Sequence, residues 1–229
     1  MQTNVTPLRN SLFERLRNDP EILTLIDRAD ETLGALGYTD HGRRHATVVA
    51  LSAARVLAAL GHDAHRCDLA AVAGFTHDLG NCAGRQSHAS AGAVFVYQLL
   101  LARNVEVADA ATIMTAIANH DEDEQGAAVD HVSAALILAD KADIHRSRVR
   151  TRDHEQFDVH DRVNFAVTRA DLDVQTATQT IVLDLAAQTD IATPADILEL
   201  FDARFALSRS AAGVLGCSYT VVVNGARIL

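Results

Sequence analysis

Over the first two-thirds of the chain, apolar residues recur every three or four positions, the period of a helix with one buried face. Helices are expected to begin near Pro7 and Pro20. A longer one covers about His41 to Leu60, with Val49, Ala53, Val56, Leu57 and Leu60 on one stripe and Gly61 as its end. The next spans about Ala64 to Leu79 on a stripe of Leu69, Val72, Ala73, Thr76 and Leu79, and stops at Gly80. From Ala89 to Ala102 the chain is apolar on nearly every side, which predicts a helix in the middle of a bundle. Asn104 reads as the N-cap of a helix reaching His120, and another helix is expected from Asp130 to about Arg146.

After about residue 150 the pattern changes. Val163, Phe165 and Val167 alternate with polar residues, as do Ile181, Leu183 and Leu185, and each set predicts a strand. Thr193 and Pro194 form the cap and first turn of a helix with a stripe of Ile197, Leu198, Phe201, Phe205, Ala212 and Leu215, closed by Gly216. A last strand, SYTVVV, ends at the turn Asn224-Gly225. The expected architecture is mainly α. A helical bundle covers residues 1–150, and a small C-terminal α+β (ββαβ) appendage covers residues 151–229.

Composition narrows the function classes. Hydrophobic residues are 48% of the 229, enough for a sizeable core, and abundant Ala suits close helix packing. The net charge of −10 argues against binding a nucleic-acid duplex, which rewards a basic face. A compact basic pocket in an acidic shell still suits a small phosphorylated molecule. Cys67, Cys82 and Cys217 are scattered and odd in number, which reads as reduced thiols and a cytoplasmic protein. The polar N-terminal segment lacks the apolar core of a signal peptide, and no apolar run approaches the ~18 residues of a membrane span. A homo-oligomer stays open.

The 11 histidines carry the chemistry. His45 lies near a helix start, His77-Asp78 closes a helix, His88 opens the next, His120 closes another, and Asp140 sits within a helix. Imidazole and carboxylate donors suit Mn, Fe, Zn, Ni or Co, and donors on different helices of one bundle converge on its centre. Neighbours on a regular helix point about 100° apart. At a helix end the backbone can turn, so that His77 and Asp78 both reach one ion and the carboxylate bridges to a second. Singly, each residue has a plainer reading as a hydrogen-bonded or exposed side chain; the set favours metal. His41, four residues before His45, is either an exposed cap or a substrate contact. Lys141 and Asp143 fit a substrate phosphate and water, or a plain ion pair. Arg43, Arg44 and Arg85 are candidates for phosphate oxygens. Arg146, Arg148, Arg150 and Arg152 read as a solvated charge run, and His62, His65, His131, His145, His154 and His160 as surface residues.

The order His45, His77-Asp78, His88, His120, Asp140 resembles the HD superfamily of metal-dependent phosphohydrolases over about residues 38–150. His88 and His120 resemble the subset with two metals. The resemblance implies an HD-type helical domain in which His45, His77, Asp78 and Asp140 hold one divalent ion. Asp78 then bridges to a second ion, held by His88 and His120. It also implies attack of metal-activated water on the phosphorus of a small phosphorylated substrate, with Asp78 and Lys141 as catalytic residues. Beside the resemblance, the reading of the residues themselves makes His41, Arg44, Arg85 and Asp143 the expected substrate contacts. Asn81 stands near the place of a Lys in the cyclic-dinucleotide phosphodiesterases of this superfamily, and their GYP signature is absent after His120, so no cyclic dinucleotide is assigned. HD-type dinuclear iron oxygenases share the ligand order, and a non-catalytic nucleotide-binding module is a third reading.

Overall fold

A computed structural model describes residues 11–151 and 153–229, so the helix expected at Pro7 lies outside the described residues. The first helix, α1 (Leu12–Leu16), is capped by Ser11. Its first two backbone N–H groups, of Leu12 and Phe13, donate to the buried Asp68 carboxylate at 2.7 and 3.0 Å. The second, α2 (Pro20–Ala35), starts as expected, with Asp19 accepting from Glu21 and Ile22 and Pro20 in the first turn. Then follow α3 (Arg43–Ala59), α4 (Ala64–Thr76), a 3₁₀ turn (Leu79–Ala83), α5 (His88–Leu101), α6 (Val107–Ala118) and α7 (His131–Ala142).

The centre of the body is α7 rather than α5. Every residue of α7 from Val132 to Ala142 is buried, with α3, α4, α6 and a C-terminal helix, Asp202–Val214, packed around it. By contrast, α5 buries Ala89, Gly92, Ala93, Val96, Leu99 and Leu100, and leaves Val94 and Phe95 exposed, at 61% and 37%. An apolar circumference states only that a helix can be enclosed; the neighbours decide whether it is. Further boundaries move. The helix expected to reach Leu79 ends at Thr76, and a 3₁₀ turn takes over at Leu79. Asn104 adopts a left-handed backbone (φ 57°) in the loop closing α5, and α6 begins three residues later with Glu106 as its cap. The helix of Asp140 ends at Ala142, not Arg146, because Asp143 leaves the helical conformation (φ −78°, ψ 66°).

The C-terminal part contains α8 (Val159–Ala166), β1 (Val167–Gln175), β2 (Thr180–Ala187), α9 (Pro194–Leu200), α10 (Asp202–Val214), β3 (Ser218–Val223) and β4 (Ala226–Arg227). The strand expected through Val163 and Phe165 is instead α8. Asp158 caps it, and Val163 and Ala166, three apart, are its buried apolar positions, with Asn164 buried beside them. Only Val167 is a strand residue. The second expected strand holds as β2, with Ile181, Leu183 and Leu185 fully buried. The single helix expected after Thr193 is two, broken at Phe201, and a Thr193–Asp196 capping box opens the first. The sheet runs β1-β2-β3-β4. The first pair is antiparallel, β2 and β3 are parallel through the α9–α10 crossover, and the last pair is antiparallel. Asn224 and Gly225 both have positive φ (50° and 81°), as a two-residue hairpin turn requires.

The fold is therefore mainly α with a C-terminal α+β appendage, joined to the helical body where α10 packs on α7 and β1 packs on α3 and α7. Among the described residues no helix is long and apolar enough to cross a membrane. The three cysteines are unpaired.

Candidate metal centre

Five separate chain segments bring His and Asp side chains to one buried place. The first turn of α3 supplies His45, and His77 and Asp78 stand where α4 passes into the 3₁₀ turn. His88 is the first residue of α5, His120 lies just beyond α6, and Asp140 is in the last turn of α7. All six are buried. Two glycines let the helices come this close. A Cβ at Gly74 would lie 2.8 Å from Cα of Ala50, so α4 rests directly on α3. A Cβ at Gly80 would lie 2.0 Å from the carbonyl oxygen of His88, so the His77-Asp78 turn sits against the start of α5.

Four donor atoms form the first set. The Nε2 atoms of His45 and His77 stand 3.3 Å apart. Asp140 Oδ1 is 3.3 Å from the first and 3.6 Å from the second, and Asp78 Oδ2 is 3.6 and 3.2 Å from them. The second set uses the other oxygen of Asp78. Oδ1 is 3.6 Å from His88 Nε2, which is 3.3 Å from His120 Nε2. Donors held about 2.1 Å from one shared ion stand roughly 3–3.5 Å apart, so the spacing suits coordination.

The hydrogen bonds agree with that use. The Nδ1 of His45 donates to Asp143 Oδ2 at 2.7 Å, that of His77 to Gly74 O at 2.8 Å, and that of His120 to Ile117 O at 2.7 Å. The Nδ1 of His88 donates to Arg85 O at 3.1 Å, with Glu124 Oε1 2.9 Å from the same nitrogen. With each Nδ1 committed as a donor, each neutral ring turns its Nε2 lone pair inward, the arrangement that orients metal-binding imidazoles. Asp78 Oδ2 is buried and accepts no hydrogen bond, a costly state for a carboxylate unless a cation faces it. Converging lone pairs and an unpartnered carboxylate oxygen fit a bound cation, and these groups could hold metal ions.

Charge tells the same story. For Asp78, burial favours the neutral acid, but the charge of His77 beside it outweighs burial and holds the carboxyl well below its usual range. Asp140 is likewise buried and likewise held low, chiefly by Lys141. Burial opposes charging His77, yet Asp78 and Asp140 beside it raise its pKa to about 10. His120 is pushed down to about 3 by burial, with the charges of His77 and Lys141 adding to it. Without an ion, one proton on His77 supplies the positive charge that the carboxylates demand.

The other expected site residues take varied positions. Asp143 accepts both ends of the Arg44 fork, at 3.1 and 2.6 Å, while it holds His45. Lys141 is buried between Asp140 Oδ2 at 2.9 Å and Glu122 Oε2 at 2.5 Å. Arg85 donates to His88 Nε2 at 3.1 Å and to Asp121 Oδ2 at 2.6 Å. His41 precedes α3, donates from Nδ1 to Thr39 O at 2.7 Å, and sets its ring 5.4 Å from that of His45. Arg43 pairs with Asp27 on the exposed side and does not join the cluster.

Several neighbours were not expected. The DEDEQG segment after His120, read as a polar loop, supplies three carboxylates. Asp121 is buried with Oδ2 at 3.4 Å from His88 Nε2, Glu122 holds Lys141, and Glu124 holds His88 and accepts from Ala89 N at 3.1 Å. Their number in so short a span was the available signal. Asn81 donates to Asp78 Oδ1 at 2.8 Å. The solvated arginine run fails at Arg148, which is buried and donates to the carbonyls of Asp40 and Asp143 at 3.0 and 3.2 Å. Arg150 binds Asp30, Arg146 lies over the Phe165 ring, and Arg152 lies outside the described residues. His65, His154 and His160 are exposed as expected, whereas His62, His131 and His145 are partly covered. A cavity of ≈ 630 Å³ opens beside His88, with Tyr38, His41, Arg85, Arg148, His160 and Arg204 among its walls.

Compared with known proteins, the chain matches no family model and no curated protein.

Proposed function

We propose that this chain is a two-metal hydrolase of the HD superfamily, acting on a phosphate ester or anhydride of a small molecule such as a nucleotide or a related metabolite. One observation carries the reading: Asp78 divides its two oxygens between two buried sets of imidazole nitrogens. Divalent ions held there would polarise a phosphoryl oxygen and lower the pKa of water toward ~7.

The chain's own residues do the remaining work. Asp143 orients His45, and the carbonyls of Gly74 and Ile117 orient His77 and His120. Lys141 neutralises the outer oxygen of Asp140 and keeps the inner one aimed at the centre. The open cavity beside His88 admits substrate and water. Arg85 and His41 line it and meet the phosphoryl group, Arg85 by turning from His88 while keeping Asp121. The donor set accepts Mn, Fe, Zn, Ni or Co. Unpaired cysteines suit a reducing cytoplasm.

The test is elemental analysis of the purified protein, then a phosphatase and phosphodiesterase panel with each of these metals. Metal-dependent phosphate release or diester cleavage is the expected result. Turnover that persists after the metal is stripped would refute the proposal. Oxygen uptake by iron-loaded protein, with no phosphate released from any substrate, would replace it with oxygenase chemistry.

A further inference from the structure

Arg148 and Arg204 line the same cavity. Arg204, on α10, is held by one hydrogen bond, Nε to Glu122 Oε1 at 3.0 Å, and by stacking over the Phe201 ring at 5.1 Å. Its two terminal nitrogens have no acceptor among the described residues. Arg148 donates to two backbone carbonyls, and its nearest carboxylate oxygen, Asp143 Oδ2, is 3.9 Å away. Its second terminal nitrogen is also uncommitted among the described residues. Two guanidinium groups with spare, fixed donors thus line one cavity. Such forks match the oxygens of a phosphate or carboxylate.

The acids nearby are otherwise engaged. Asp121 takes Arg85, Glu124 takes His88, and Asp158 caps α8 by accepting from Asp161 N at 2.7 Å. Asp123 is largely exposed and approaches Arg85 only to 4.0 Å. Burial first, and then the charge of Arg204, lowers the pKa of Arg148, against the pull of Asp143. Two cations that line one cavity and oppose each other's charge are stabilised by an anion bound within reach of both.

We propose that Arg148 and Arg204 form an anion subsite separate from the His/Asp centre, so that the ligand carries a second phosphate or carboxylate besides the group held there. That this ligand is the substrate rests on the hydrolase reading. Both arginines are tied to the centre, Arg148 through Asp143 to His45 and Arg204 through Glu122 and Lys141 to Asp140. The subsite is half built by the C-terminal appendage, which thereby selects the ligand.

Calorimetry on the metal-loaded full chain tests this with three probes: methylphosphonate, methylenediphosphonate and phosphonoacetate. The two doubly anionic probes should bind at least about tenfold more tightly than methylphosphonate, the worth of a charge-assisted hydrogen bond. Preference between them tells phosphate from carboxylate. R204Q should erase most of that advantage, with metal content and methylphosphonate affinity unchanged, and R204K should keep part of it. Equal binding of all three probes by the unaltered protein overturns the subsite. So does an advantage that survives R204Q, or an R204Q loss that tracks lost metal or affects all probes alike. Should R204Q not fold, R204M, which also removes the guanidinium, decides by the same readings. Absent phosphate release with an Arg204-dependent advantage would sink the hydrolase reading alone, and turnover with an unchanged R204Q profile would sink the subsite alone.

Discussion

The two halves of the His/Asp centre are built from the same residue types but stand in different surroundings. Around His45, His77 and Asp140, α3, α4 and α7 close on all sides. A carboxylate forked by Arg44 fixes His45, and a buried lysine fixes Asp140. Around His88 and His120 the donors come from helix ends beside an open cavity. There the protein already supplies a cation, since Arg85 donates to His88 Nε2 at 3.1 Å. The difference teaches a division of labour that ligand identity alone cannot express. A closed four-donor set suits a resident ion, and a three-donor set facing a cavity leaves room for water or substrate.

Substitutions can break or sharpen this contrast, beginning with the residue common to both halves. If two ions bind as proposed, Asp78→Ala removes a donor from each set, and metal content should fall from two ions per chain to near none by elemental analysis. Retention of one full equivalent would show that Asp78 is not shared. His88→Ala should take away one equivalent and leave the other. A loss of both would mean that the closed half depends on the open one, contrary to the contrast. Asp143→Ala frees Nδ1 of His45 and leaves Arg44 with only Asp40, 3.6 Å away, which should weaken the tighter ion, the one proposed for the closed set, about 10–100-fold in a chelator competition, the usual cost of losing an orienting partner. The looser ion should be unmoved. The smallest expected effect has the opposite sign. Arg85→Gln removes the guanidinium that competes for His88 and Asp121, so the looser ion should bind more tightly by up to about tenfold in titration calorimetry. Weaker binding would show instead that Arg85 supports that half of the centre.

Much of this protein is legible in its sequence because many of its signals are local. Caps at Asp19 and Thr193 mark helix starts through bonds to residues two or three places on. The alternation of Ile181, Leu183 and Leu185 reports one buried face of a strand. The six expected donors, each near a helix end or on an inward helical turn, do meet, because helices packed in one bundle bring those positions to a common centre. Packing partners are what a sequence does not print. Arg148 and Arg146 look alike along the chain, yet only Arg148 meets the carbonyls of Asp40 and Asp143 and is buried. Val163 and Phe165 alternate like a strand, but the Asp158 cap and burial of Val163 with Ala166 favour a helix. The choice of α7 over α5 as the central helix, and the approach of Arg204 to Glu122 across 82 residues, rest on contacts between distant segments. Periodicity and capping act over one or two turns, so the chain alone determines its elements and their donors. Burial, charge pairing and the cavity are sums over neighbours from elsewhere in the chain, and only the assembled tertiary structure decides them.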